Sequence, residues 1–293
     1  MIVKMKSTYM LMVLLSTGSG AFCQQNETKA SKAKPMIKTE KIIYYDVKPL
    51  KNERSYGFGR DLYKEYDNNG NQLTESIILA KEGTDEDENN LSYRYHYQTG
   101  KLDKAEHFSV LRAGIKHEEV RFTYSTDGKL EKEALIVFQD GKEVLNKNSF
   151  YTLYSYEKDQ KEEHWRFDEA AQKFKLSYRT VKEFDNRRNL IKETNYDEDH
   201  QPYRTNIKTY NDKNQIIREI AVDQYSDRDE SILYNPQGDV LKINAKNRGE
   251  VSYTYKYDEH NNWIEKTEKE ISVNQGKSKI SNHHLIKRTI IYY

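Results

Sequence analysis

The sequence predicts an all-β protein: a long antiparallel meander of β-hairpin repeats, twisted or curled into an open sheet, a half-barrel or a spiral shell. Three observations carry this expectation. First, a phrase of one aromatic residue, an Asp/Asn-rich turn and an apolar residue recurs along the 293 residues, at Tyr66 to Leu73, Tyr124 to Leu130, Phe184 to Ile191 and Tyr257 to Ile264. Second, the segments between these turns alternate with period two, as strands do. Val251, Tyr253, Tyr255 and Tyr257 point one way, Ser252, Thr254 and Lys256 the other, and Tyr93, Tyr95 and Tyr97 repeat the pattern. Third, only four prolines occur, which suits long uninterrupted pairing.

From the N-terminus, residues 1–23 read as an export signal, with Lys4 and Lys6 at its charged start, Met10 to Leu15 as its apolar stretch and mainly small residues up to Cys23. The apolar run is far shorter than the roughly 20 residues a helix needs to cross a bilayer. No transmembrane segment is therefore expected after cleavage, and the destination is the periplasm, the outer surface or the medium. A lipid anchor at Cys23 is disfavoured by the bulky Phe22 before it. Cys23 is the only cysteine, so the mature chain must rely on packing and pairing without disulfides. Residues 24–40, polar and interrupted by Pro35, read as a flexible linker. Residues 41–293 are even in composition and read as one β-repeat domain.

Within that domain the turn-entering aromatics are Tyr66, Tyr97, Tyr124, Tyr156, Phe184, Tyr210, Tyr234 and Tyr257. Four residues on stand Gly70, Gly128, Asn214, Gly238 and Asn261, while Gly100 arrives one residue early. Gly and Asn best tolerate a left-handed backbone, so this place reads as the positive-φ hinge of each turn. Gln160 and Arg188 break the rule. A second turn separates successive copies, as at Asp140-Gly141 and Arg248-Gly249, so each unit is strand, turn, strand, turn. An isolated hairpin is marginal in water, so each copy must lean on its neighbours.

The phrase Tyr66-Asp67 with Gly70-Asn71, and its counterpart Tyr257-Asp258 with Asn261-Asn262-Trp263, resembles the YD-repeat, or Rhs-type, family of bacterial secreted and surface proteins. The closing Arg288 to Tyr293 resembles that of small exported members from the Bacteroides lineage. The resemblance spans about residues 41–293 and implies a curled β-shell. It departs from the large members in lacking a long repeat array, a separate toxin domain and an autoproteolytic Asp-rich motif, so it speaks for the fold more than for any delivery role.

Composition narrows the function classes. The 48 basic and 47 acidic residues nearly cancel, unlike the strongly basic footprint of a nucleic-acid binder. Charged residues at 32% and a mean hydropathy of −1.03 would alone suggest disorder, but 24 Tyr and 9 Phe argue for a folded sheet. The eight histidines are scattered apart from His283-His284, which read as an exposed turn and, being adjacent on a strand, would face opposite ways. No metal site and no cofactor are expected. Asp85 to Glu88 and Asp197 to Asp199 lack the ligand pattern of a calcium loop and read as solvated charge. Phosphate-loop, nucleophile-elbow and His-Glu-x-x-His motifs are missing.

The recurring aromatics read as scaffold, because a structural need repeats with the fold whereas a site occurs once. Trp263, Trp165, Tyr253 and Tyr255 are the binding candidates, since such rings stack on sugars or grip peptides. A membrane barrel is disfavoured because Glu265 to Glu270 places charge on both faces of one strand. The leading expectation is a non-enzymatic exported binding module of the cell envelope for a protein or glycan, able to self-associate through sheet edges. The alternatives are a secreted carboxylate-dependent hydrolase and a shell or neutralising partner in a toxin system. A deep pocket with converging carboxylates and shifted pKa values would count heavily against the binding module.

Overall fold

A computed structural model describes residues 35–293 apart from 48–52, 55–60, 81–86, 110–113, 157–158, 224–226, 247 and 275–276. The export signal, Cys23 and most of the linker lie outside the described residues. The described chain is twenty strands in one antiparallel sheet. They are β1 Ile37–Asp46, β2 Glu53–Arg54, β3 Leu62–Tyr66, β4 Gln72–Ala80, β5 Asp87–Gln98, β6 Lys101–Phe108 and β7 Lys116–Tyr124. There follow β8 Leu130–Gln139, β9 Lys142–Val144, β10 Phe150–Tyr156, β11 Gln160–Asp168, β12 Lys173–Phe184, β13 Leu190–Tyr196 and β14 Pro202–Tyr210. The last are β15 Ile216–Asp223, β16 Asp227–Tyr234, β17 Val240–Ala245, β18 Gly249–Tyr257, β19 Trp263–Asn274 and β20 Lys277–Tyr292.

The sheet closes on itself. Ile42 of β1 pairs with Leu62 of β3 on one side and Arg288 of β20 on the other. The short β2 and β9 extend the edges that β3 and β10 occupy on β1 and β8, so the ring is a barrel of 18 strands. This corrects the expected open sheet or half-barrel, and it pairs with each other the two edges on which self-association would have depended. One side chain bridges the three strands at the seam. Glu40, only 5% exposed, accepts hydrogen bonds from Tyr66 Oη of β3 at 2.8 Å and Arg288 Nε of β20 at 2.7 Å. Because β1 pairs from Ile37 onward, the expected linker ends four residues earlier than 40.

One face of this wall carries Glu40, Tyr66, Tyr93, Tyr95, Glu133, Tyr154, Glu162, Tyr178, Tyr253, Tyr255 and Lys266, by the registers of the strand pairs. Burial is the largest cause of the raised pKa of Tyr66, Tyr93, Tyr95, Tyr154, Tyr178, Tyr253 and Tyr255. On the opposite face, Arg218, Asp229 and Lys192 shift chiefly through a bonded partner. A closed wall surrounds its inner face with protein on all sides, so the desolvated face is the inner one. The outer face bears cross-strand ion pairs around the barrel: Lys116–Glu106, Arg179–Glu163, Lys192–Glu183, Arg218–Asp229 and Lys256–Glu265. Buried polar residues outnumber buried apolar ones, and the apolar set is divided between Leu135 and Ile286 inside and Ile43, Ile78 and Phe167 outside. The fold is thus held by pairing around a ring, with no single apolar core.

The recurring phrase acquires a physical meaning at the turns. Asp67 Oδ1 accepts the backbone N–H of Asn69 at 2.8 Å and of Asn71 at 2.9 Å, and Gly70 N–H donates to Asp67 O. Asp185, Asn211 and Asp258 build the same side-chain turn. The hinge is left-handed at Gly70, Gly128, Asn214, Gly238 and Asn261, as expected. Arg188 also adopts it, at φ 64°, because Asp185 and Asn189 close the turn around it, so this copy is intact. Gln160 instead opens β11 opposite Tyr156. Thr99 and Gly100 both have positive φ between paired Gln98 and Lys101, which is the two-residue turn whose twist matches that of the strands. Asp197, read from sequence as part of an acidic cluster, caps a further turn after Tyr196, with His200 at its hinge. His283 and His284 lie within β20, facing opposite ways as expected, and not in a turn.

Four of the turn-entering tyrosines stitch neighbouring hairpins together through the backbone. Tyr97 Oη donates to Gln72 O, Tyr124 to Leu102 O, Tyr210 to Leu190 O and Tyr234 to Ile216 O, at 2.8 to 3.1 Å. Each acceptor is the first or second residue of the strand that follows the preceding copy's turn. All these turns lie at one rim, since they join β3 to β4, β5 to β6, β7 to β8, β14 to β15 and β16 to β17.

Candidate functional site

The inner wall between β8 and β13 gathers titratable groups that the repeat does not dictate. Register places Glu133 beside Thr152, Thr152 beside His164, Tyr154 beside Glu162, and Glu162 beside Thr180. Tyr154 Oη donates to Glu133 Oε2 at 3.0 Å. The His164 ring is held between two hydroxyls, with Nδ1 3.0 Å from Thr152 Oγ1 and Nε2 3.4 Å from Thr180 Oγ1, while Thr180 donates to Asn195 Oδ1 at 2.9 Å. Tyr178 stacks on His164 with centroids 4.0 Å apart, where a bulge after His164 shifts the β11–β12 register. Glu162 receives Gln160 Nε2 at 2.9 Å and the Lys182 ammonium, and lies 3.6 Å from His164. Thr152, Thr180 and Glu162 are all buried.

The two carboxylates are pushed apart in acidity. Burial raises Glu133, and repulsion from Glu162 adds to it, against the hydrogen bond from Tyr154. Burial would also raise Glu162, but His164 and Lys182 together hold it below the usual range. The arrangement therefore sets a carboxyl that favours its neutral form near one that favours its charged form, with an imidazole, a phenol and an ammonium alongside. Chemically it can hydrogen-bond a polar ligand from several directions, and it can give and take a proton.

The candidates named from sequence fall in two places. Trp263, Tyr253 and Tyr255 share the inner face between β18 and β20. Lys266 Nζ lies 5.4 Å from the Tyr253 ring and 5.5 Å from that of Trp263, and Arg288 covers Trp263 at 5.1 Å. Tyr255 Oη is committed to Val240 O at 2.7 Å. Trp165 is elsewhere, on the outer face, stacked on Tyr151 at 5.9 Å, and its indole Nε1 is buried without a hydrogen-bond partner among the described residues. Sequence reasoning missed Glu133, Tyr154, Glu162 and His164. Their one visible trace was a lapse in the repeat there, with Gln160 at a hinge position and Phe184 in place of a tyrosine. A cleft of about 450 Å³ lies on the same strands; it draws mainly on outer-face residues, Lys161, Glu163, Arg179, Tyr196 and His200, and also touches Glu162 and Thr180.

No protein-family model matches the sequence, and no curated protein matches it. Among solved structures, the chain is similar to a porin-like protein from Bacteroides uniformis, with a TM-score of 0.51 and 9% identity over 87% of this chain and 96% of that one. It also matches a protein of unknown function from Bacteroides fragilis, at TM-score 0.30 and 20% identity, over 45% of this chain and 91% of that one. A third match is to the Tc holotoxin pore of Photorhabdus luminescens, at TM-score 0.24 and 14% identity, over 78% and 13% of the two chains. The first likeness supports an all-β barrel fold; the other two are too distant to carry an argument.

Proposed function

We propose that the chain is an exported, non-enzymatic β-barrel of the cell envelope that binds a glycan on its inner wall. The observation that carries this reading is the group around Glu162. A sugar ring offers an apolar face edged by hydroxyls, and the stacked Tyr178 and His164 offer a flat surface beside carboxylate, hydroxyl and ammonium partners. The outer face supports a barrel standing in water. A lipid-facing band needs an apolar residue at every second position, and this band is crossed by Arg179–Glu163, Lys192–Glu183 and Arg218–Asp229. The test is calorimetric titration of mature protein from Gln24 onward with soluble envelope polysaccharides. Saturable binding that weakens at least tenfold in Thr180→Val and Tyr178→Ala supports the reading, and equal affinity in both variants contradicts it.

One observation favours a second reading, the hydrolase: Glu133, pushed toward its neutral form, and Glu162, held in its charged form, have the opposed acidities that an acid and a base need. Release of reducing sugar from a polysaccharide that binds, lost in both Glu133→Gln and Glu162→Gln, would establish it. Binding without turnover in the wild type would reject it. A toxin-system role rests on the sequence resemblance alone.

A further inference from the structure

A second group of side chains lies on the inner wall at β6 and β7, away from the Glu162 group. His107 of β6 pairs with Glu118 of β7, and Phe108 pairs with Lys116, so His117 is an extra residue in a bulge. Adjacent residues on a regular strand point to opposite faces. The bulge removes that constraint and lets His117 and Glu118 both turn toward His107. The rings of His107 and His117 have centroids 4.2 Å apart, and His107 Nδ1 lies 3.1 Å from Glu118 Oε2. One donor atom from each of the three residues lies within 4.8 Å of the others. Tyr93 stacks on the far face of His107 at 4.4 Å with nearly parallel rings, which fixes the imidazole's orientation.

A second observation points to a ligand. His117 Nδ1 is buried and has no hydrogen-bond partner among the described residues. Buried polar atoms are rarely left so, because the desolvation they suffer is not repaid. The neighbouring donors to which it could turn are themselves ligand types: another imidazole and a carboxylate.

We propose that His107, His117 and Glu118 form a binding site for one divalent transition-metal ion of the zinc class. Two imidazoles and one carboxylate are a donor set that suits Zn²⁺, and harder ions such as Ca²⁺ and Mg²⁺ prefer six or more oxygens. Zinc bonds of roughly 2.0–2.2 Å require donors closer together than 4.8 Å, so the rings of His107 and His117 close modestly on the ion. Three protein ligands leave a fourth position on the inner side of the wall, and the ion ties β6 to β7 where the bulge weakens their ladder. This site is independent of the glycan reading, since it shares no residue with the Glu162 group.

The experiment uses untagged mature protein stripped with chelator, titrated with Zn²⁺ by calorimetry and with Co²⁺ by visible absorption. The expected result is one ion per chain, a Co²⁺ spectrum of low coordination number, and at least a tenfold weaker affinity in His117→Asn and in Glu118→Gln. His164→Asn, with a histidine of the other group changed, should bind as the wild type does. No saturable binding in the wild type would overturn the proposal. So would wild-type affinity in both site variants, or a six-coordinate Co²⁺ spectrum in the unmutated protein, a readout that does not depend on a variant folding.

Discussion

The turn rim and the inner wall from β8 to β13 use the same residue types to opposite ends. At the rim, Tyr97, Tyr124, Tyr210 and Tyr234 each spend their hydroxyl on a backbone carbonyl in the first two residues of the previous hairpin's returning strand. On the wall, Tyr154 gives its hydroxyl to the side chain of Glu133, while Glu162 takes the Lys182 ammonium and lies 3.6 Å from His164. The first arrangement recurs with the fold and needs no ligand to explain it. The second, with an imidazole held between two hydroxyls beside its carboxylates, occurs once among the described residues, and it lies where Phe184 replaces the stitching tyrosine. The difference separates residues that repeat because the barrel requires them from residues that stand alone because something else does.

That separation can be broken by mutation, and the largest effect belongs to the seam. Glu40→Ala leaves Arg288, itself mostly buried, without its partner between the first and last strands, and should cost about 3 kcal/mol in urea unfolding. An unchanged midpoint would mean that strand pairing closes the barrel without this clamp. Tyr210→Phe deletes one neutral hydrogen bond and should cost about 1 kcal/mol while leaving ligand affinity intact. Tyr154→Phe should behave differently, altering affinity and the titration of Glu133.

Smaller effects sharpen the comparison through pH. Glu133 is raised above its ordinary 4.5, so its contribution is fully present below 4.5 and is lost as pH rises through the folded value. Glu133→Gln should therefore raise the unfolding midpoint at neutral pH and change little below 4.5. Glu106 on the outer face is held down to about 2: burial would raise it, but His96 and Lys104 outweigh that. Its contribution is present above 4.5 and fades as pH falls toward 2, so Glu106→Gln should flatten the acid limb that Glu133→Gln leaves in place. Urea titrations of both variants across this range check the two signs.

The rim was legible in the sequence because its cause is local. An aspartate or asparagine that accepts amides two and four residues on, followed by a left-handed hinge, is written in five consecutive positions such as Asp67 to Asn71. Even Asp197 carries that phrase, though its neighbours Glu198 and Asp199 made it read as a charge cluster. Closure was not legible. Whether 18 strands curl or close depends on β1 meeting β20, a pairing across some 250 residues set by cumulative twist rather than by any motif. The wall group was equally hidden, because Glu133, Tyr154, Glu162 and His164 meet only through cross-strand register. The bulge that lets His117 and Glu118 share a face likewise defeats the alternation rule by which adjacent residues are assigned to opposite faces.

The central claim is that the ligand is held by the group that occurs once and not by the tyrosines that recur. Parallel calorimetric titration of the double variant His164→Asn/Thr180→Val and of the double variant Tyr210→Phe/Tyr234→Phe, against the polysaccharide that the wild type binds, tests it most directly. The account predicts binding abolished in the first, with cooperative unfolding retained, and wild-type affinity in the second despite its lower stability. Wild-type affinity in the first with binding abolished in the second would contradict it.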